Sequence, residues 1–274
     1  MSDAVTLTLR ASVPRRLEAE CVTPDAFASL DESAIARLPV WDGPQVVPLG
    51  DVFHVRGGHS DRVRVTGDLG MIDALGAGMK AGELQCEGSV GRYVGTRMAG
   101  GTVRVSGDAG YGAGLEMTGG LLDIAGNAGD RLGAGRLAAA RGMAGGEIIV
   151  RGNAGAEIGA TMRRGTVVVA GNAGPRAGIG MIAGNVIVLG SAGDDAGRFN
   201  KRGTIVVFGR VAVSSTYRFA CTYRPPHIAV TTIHLRAHRG LAIPDDAQTA
   251  RFHRYSGDMA ELGRGEILSR SDAP

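Results

Sequence analysis

The most regular feature of the chain is a seven-residue pattern, G-x-Φ-x-Φ-x-G, in which aliphatic residues or Cys (Φ) alternate with other side chains between two glycines. It reads GELQCEG, GTVRVSG, GLLDIAG, GEIIVRG, GTVVVAG, GNVIVLG and GTIVVFG, with an earlier copy, DRVRVTG. The closing glycines are Gly67, Gly88, Gly107, Gly126, Gly152, Gly171, Gly190 and Gly209, spaced by 19 residues apart from one step of 21 and one of 26. Strict alternation predicts strands whose third and fifth positions share one face, the interior. Those positions are Leu84 and Cys86, Val103 and Val105, Leu122 and Ile124, Ile148 and Val150, Val167 and Val169, Val186 and Val188, Ile205 and Val207. Eight short strands at a fixed period predict a solenoid. A 19-residue period is too short for a helix pair, and no leucine-rich signature appears. The expected fold is therefore all-β: a right-handed parallel β-helix, single-stranded, with about eight coils of roughly 19 residues and short non-repeat extensions.

Further rows repeat with the strands. Corners of the form Gly-Asp/Asn-Ala-Gly follow them, at Asp108, Asn127, Asn153 and Asn172, where a left-handed backbone is expected. Met79, Met98, Met117, Met143, Met162 and Met181 each stand three residues before an opening glycine, and Asn200 breaks the series. A methionine row invites a metal or redox reading, but a flexible, polarisable filler suits a narrow core with few aromatics better. The 26-residue step carries seven extra residues between Gly135 and Met143, predicted to project as a loop or helical turn, with Arg136 and Arg141 as contact candidates.

The outward positions change character along the chain. The fourth heptad position reads Gln85, Arg104, Asp123, then Ile149, Val168, Ile187, Val206, and the sixth ends in Leu189 and Phe208. A contiguous apolar patch of this kind marks an interface, covered by another protein chain or by the chain's own tail, with the former favoured. Three parts follow: an N-terminal strand and helix cap over 1–60, the glycine-rich repeats over 61–212, and a basic extension over 213–274 that packs on the repeats or on a partner. In the first part AVTLTLR reads as a strand, and a helix near Asp31–Leu38 takes Asp31 as its N-cap. In the last, the alternation of HIAVTTIHLRAH reads as strand.

Composition narrows the chemistry. Aromatics are 4% and glycines 45 of 274, so the core must be aliphatic. No apolar run is long enough to span a membrane, and MSDAVTLTLR lacks the apolar stretch of a secretion signal, so a cytoplasmic location is expected. Cys21, Cys86 and Cys221 are odd in number and far apart, against a disulfide framework, zinc ribbon or iron–sulfur site. His227, His234, His238 and Cys221 follow no standard zinc spacing, so no metal site is assigned. The glycine clusters recur in every repeat and include no G-K-[ST], which makes them structural. No nucleophile arrangement emerges, and no catalytic residue is named. Residues 197–274 hold 12 Arg and Lys against 6 Asp and Glu, which points to an anionic partner. Nucleic acid fits poorly, for want of interleaved aromatics. Arg163, Arg164, Arg198, Lys201 and Arg202 lie near opening glycines, where stacking gathers some of them on one edge suited to a carboxylate-rich ligand.

The coils, the segment LEAECVTPDAFASL and the tail RYSGDMAELGRGEI resemble the C subunit of formylmethanofuran dehydrogenase and its bacterial relative; the coils alone also resemble the C-terminal domain of glutamate synthase. The resemblance runs over nearly the whole chain. It implies a hetero-oligomeric complex in which other subunits carry catalysis and this one is a rigid platform. The Arg-rich, Ala-rich composition favours the bacterial version. That complex moves a formyl group from formyl-tetrahydromethanopterin to a methanofuran- or methylofuran-type carrier and releases formate. The alternatives are a component of a true tungsten or molybdenum dehydrogenase or a stand-alone synthase-like domain. No tightly bound cofactor is implied for this chain. The carrier is handled by the complex, and the five basic residues above are candidates to hold its glutamate tail.

Overall fold

The computed structural model describes residues 4–272. Strand β1 is Val5–Leu9 and the short β2 is Leu17–Glu18. Two brief helices follow, α1 over Pro24–Phe27 and α2 over Glu32–Ala36. Asp31 caps α2 as expected, its carboxylate accepting from the Ala34 N–H at 2.7 Å. The hairpin β3 (Pro39–Asp42) and β4 (Gln45–Pro48) leads to α3 (Leu49–Val52) and β5 (Phe53–Arg56). The repeats then give β6 (Arg62–Thr66), the short β7 (Ile72–Asp73), β8 (Glu83–Glu87), β9 (Thr102–Val105), β10 (Leu121–Ile124), β11 (Ala144–Val150), β12 (Arg164–Val169), β13 (Asn185–Val188) and β14 (Thr204–Val207). The tail forms β15 (Arg218–Tyr223), α4 (Pro226–Arg239), one 3₁₀ turn over Asp245–Gln248, β16 (Phe252–Gly257) and β17 (Gly265–Arg270).

The fold is mostly β, built on one large, mostly parallel sheet of thirteen strands in the order β15-β16-β17-β14-β13-β12-β11-β10-β9-β8-β6-β1-β5. Each repeat strand pairs in parallel with its neighbour in matching register, Val103 beside Leu84, Leu122 beside Val103 and Val186 beside Val167. The alternating pairs predicted to face inward are buried, from Leu84 and Cys86 to Ile205 and Val207. A second parallel ladder runs through the corner residues, from Leu69 to Val90, then Ala109, Ala128, Ala154, Ala173, Ala192 and Val211. All six methionines of the row are fully buried, as is Asn200. Asn200 stands at the methionine position of the repeat that leads into β14, which keeps the parallel register. Its amide donates to the Gly203 carbonyl and accepts from the Gly203 N–H, so a polar group closes the apolar column with its hydrogen bonds made.

The corners work differently from the sequence expectation. Asp108, Asn127, Asn153 and Asn172 keep ordinary backbone angles. Their side chains instead accept the N–H of the residue one repeat ahead: Asn127 to Asp108 at 2.6 Å, Asn153 to Asn127 at 2.9 Å, Asn172 to Asn153 at 2.8 Å and Ser191 to Asn172 at 2.8 Å. A side-chain oxygen at the corner thus satisfies a donor the strands leave unpaired. The left-handed bends fall elsewhere in each repeat, at Tyr93, Arg131, Glu157, Arg176 and Asp195 and again four residues later at Arg97, Glu116, Thr161 and Phe199. Between these rows sits a left-handed glycine facing the core; at Gly178, φ 68, a Cβ would lie 2.7 Å from Ile205 Cδ1 and from Met181 Sδ.

The tail corrects two expectations. HIAVTTIHLRAH is not strand; it lies within the helix α4. Pro226 occupies its first turn, and Gly240, left-handed at φ 60, ends it. Ile228, Thr232 and Leu235 form its buried face at helical spacing, whereas the period-two reading followed Ile228 to Val230 and Ile233 to Leu235. This helix, with Leu241, Ile243, Phe252 and Leu268, covers the apolar outer face of the last repeats. Ile149, Val168, Ile187, Val206 and Phe208 are buried beneath it, and Leu189 packs against the same cluster. These six were expected to face another protein; the chain's own tail meets them instead, because they need an apolar cover and α4 lies within chain reach. Arg151 pairs with Asp123 and donates to the Arg239 carbonyl at 2.9 Å, and Glu147 accepts from Arg239 at 2.6 Å. Both contacts fix the C-terminal end of the helix.

Candidate functional site

The corners that precede β12 and β14 set cations along one edge. Arg163 and Arg164 stand there before Gly165, and Arg202 stands two repeats on, before Gly203. Register carries this through: Thr166 pairs with Asn185, and Asn185 with Thr204. The three arginines line one open groove of about 350 Å³ with Gly165, Ala183 and Gly184 between them. No carboxylate lines it, and none of the three guanidinium groups has an ion-pair partner among the described residues. Gly165, Ala183 and Gly184 leave the floor between the guanidinium forks free of long side chains.

The other two predicted residues do not share the groove. Arg198 is engaged by Asp195 at 3.4 Å and lies over the Phe199 ring at 5.1 Å. Lys201 faces Glu261 at 3.9 Å. Sequence reading missed Arg264. Strand β17 returns beside β14 with Glu266 opposite Thr204, a register that, run back two residues, sets Arg264 level with Arg202; Arg264 is exposed, has no ion-pair partner among the described residues and does not line the groove. Only the long-range return of the tail makes it a neighbour, and no local motif announces that.

The inserted loop is a turn rather than a helix. Arg136 on it faces Glu116 at 3.6 Å, and Arg141 is exposed. With Leu137, Arg136 borders a second cavity of about 410 Å³ floored by Tyr93, Tyr111 and Leu115. The two tyrosines meet edge to face at 5.7 Å.

Burial pushes the Cys21 and Cys86 thiols up to about 12, which keeps them protonated and unreactive at neutral pH. Cys221 is exposed on β15. His234 and His238 fall on one side of α4 with ring centroids 5.1 Å apart, a proximity that only the helix provides. Among the described residues no three His, Cys, Asp or Glu side chains come together to hold a metal ion. No helix there is long and apolar enough to cross a membrane.

No family model matches the chain. Among curated proteins, the C subunit of the molybdenum-containing formylmethanofuran dehydrogenase 1 of Methanosarcina barkeri is 40% identical over 95 residues, 33% of this chain and 32% of the relative. The C subunit of the formyltransferase/hydrolase complex Fhc of Methylorubrum extorquens is 35% identical over 87 residues, 32% of this chain and 33% of the relative. These alignments thus span about a third of the curated relatives. The structural likeness is far longer. A chain in the crystal structure of the formyltransferase/hydrolase complex from Methylorubrum extorquens, in complex with methylofuran, superposes with a TM-score of 0.90 at 35% identity, covering 97% of this chain and 99% of that one. With repeats, N-terminal segment and tail all matched, the chain belongs to the C-subunit family of formylmethanofuran dehydrogenases and formyltransferase/hydrolase complexes.

Proposed function

We propose that this chain is the C subunit of a formyltransferase/hydrolase complex of one-carbon metabolism. The complex transfers a formyl group from formyl-tetrahydromethanopterin to a methylofuran-type carrier and releases it as formate. The observation that carries this reading is the superposition over 97% of the chain on a member of such a complex. In this reading the repeats wind as a right-handed parallel β-helix, and the two parallel ladders at a 19-residue period support that winding. The protein is a rigid, non-catalytic platform on which catalytic subunits dock. Its densely buried aliphatic core, stacked in register from one repeat to the next, supports that role.

The groove of Arg163, Arg164 and Arg202 then holds the carrier's glutamate tail, since guanidinium forks pair with carboxylates. Purification from the native source should yield further subunits with formyltransferase and formate-releasing activity. Replacing Arg163 and Arg164 by Ala in that complex should raise the apparent KM for the carrier by roughly three- to thirtyfold at unchanged kcat, about 1 kcal/mol per lost charge-assisted contact. Unchanged kinetics would remove the groove from this role and leave the assignment to the complex standing. A second reading, the C subunit of a tungsten or molybdenum dehydrogenase, draws on the 40% identity to the methanogen protein. Tungsten or molybdenum in the purified complex would favour it.

A further inference from the structure

The two ends of the thirteen-stranded sheet are finished differently. At one end β5 is packed by α2 and α3, and the chain just beyond it is tied down by the His59 N–H donating to the Leu30 carbonyl at 2.8 Å. At the other end β15 pairs with β16 on one side only, and its outer edge has no strand beside it among the described residues. Arg218, Phe219, Ala220 and Cys221 of β15 are exposed, Phe219 to 58%. Helix α4, which follows directly, lies over the outer face of the repeats and leaves this edge uncovered. A bare edge invites pairing with another chain unless lysine, proline, an inward charge or a bulge blocks it; β15 holds no lysine or proline, and its register shift against β16, between Phe219 and Cys221, leaves Cys221 to Tyr223 in regular register.

Charge narrows what can pair there. Arg218 and Arg224 bracket the strand, and neither has an ion-pair partner among the described residues. From Ala196 to Pro244 the chain has eight Arg and Lys and no Asp or Glu. A second copy is disfavoured, because it brings the same Arg218 and Arg224 and no carboxylate from its own β15 to the edge, so self-pairing gathers like charges, which destabilise a sheet. Phe219, His253 and Tyr255 make an edge-to-face aromatic cluster beside the free edge, with Phe219 5.8 Å from Tyr255 and 5.9 Å from His253. That cluster offers an apolar contact for alternate side chains of an incoming strand.

We propose that the free edge of β15 receives an extended, acid-flanked segment of another protein chain as an added strand, its carboxylates meeting Arg218 and Arg224. The inference rests on the reading of this chain as part of a hetero-complex and names the surface used. Cys221 is the reporter, since Cys21 lies largely, and Cys86 wholly, out of solvent. Maleimide labelling followed by mass spectrometry compares the full chain alone with the complex from the native source. Cys221 should label readily in the free chain and roughly tenfold or more slowly in the complex. The Arg218→Glu and Arg224→Glu double variant should restore the fast rate in the reconstituted complex and weaken assembly.

Equal labelling in the intact complex overturns the docking alone. A chain that purifies without partners overturns the reading as a complex component and the docking together. Protection that rises with the free chain's own concentration, together with a dimer in sedimentation, assigns the edge to a second copy and overturns the acidic partner.

Discussion

Thr161 sits at φ 56, a left-handed conformation that a β-branched residue disfavours, and its hydroxyl is buried with no hydrogen-bond partner. The equivalent residue one repeat later is Gly180, at φ 64. Thr161→Gly should therefore stabilise the chain by about 1 kcal/mol, a rise of roughly 2–4 °C in Tm by calorimetry. A fall in Tm would mean that the methyl contact outweighs the strain. Glu157 is also left-handed, yet its carboxylate accepts from both Arg131 and Arg176, the latter at 2.9 Å, so an ion-pair row across three repeats offsets the backbone cost. Asp258 shows a different balance. Burial opposes its ionisation, but the N–H groups of Ala260 and Phe199, the Thr216 hydroxyl and the nearby Arg198 charge outweigh it and hold its pKa below the usual carboxylate value. A depressed carboxylate adds stability above its unfolded pKa, and that stability is lost as pH falls through the lower folded value. Asp258→Asn should cost about 1–3 kcal/mol at pH 7, and the gap in Tm from the wild type should close as the pH falls through and below the ordinary carboxylate range. A gap that stays constant with pH would show that the charge is not what the site uses.

At the scale of elements, α4 decides how the outer face is read. Ile228 and Leu235 on its buried side each contribute about 1.5–3 kcal/mol when taken out of water. Val168, at 0% exposure, lies in the cluster they cover. Val168→Asp should place an unpaired charge beneath the helix and destabilise the isolated chain by several kcal/mol. Limited proteolysis should then cut within 226–239 in the variant and not in the wild type. An isolated variant that keeps its Tm but no longer joins a complex would instead mark this face as a site where a partner docks. The methionine row follows the same logic inside the repeats: unbranched, flexible side chains, all fully buried, fill a core poor in aromatics.

Across the whole molecule, the repeats set a ruler of one residue row per sheet spacing, about 4.8 Å. Arg163 and Arg164, then Arg202, then Arg264 are read off that ruler on one edge, and β15 ends it at the other side of the tail. Raising salt should weaken carrier binding at the arginine groove through screening of exposed charges. Apparent KM measured from about 50 to 300 mM salt should rise for the wild type and change little for the Arg163→Ala, Arg164→Ala complex. Parallel salt curves for both would place the ionic contact elsewhere. The groove is half legible in the sequence. Arg163, Arg164 and Arg202 stand at fixed offsets from opening glycines, whereas the engagement of Arg198 by Asp195 and of Lys201 by Glu261 depends on rotamers and on a distant turn.

What the chain's sequence determined alone is everything that repeats. A period-two pattern renewed every 19 residues specifies strand, facing and register at once, because each repeat buries its Val and Ile pair only against the next. The tertiary structure decided what happens once. The winding of residues 226–239 as helix, the burial of Val168 beneath it, the arrival of Arg264 beside Arg202 and the bare edge of β15 all arise from a single return of the tail. Local pattern could not settle them, since the apolar residues of α4 satisfy a strand or a helix equally until the Ile149 to Val206 face supplies the surface that selects the helical stripe.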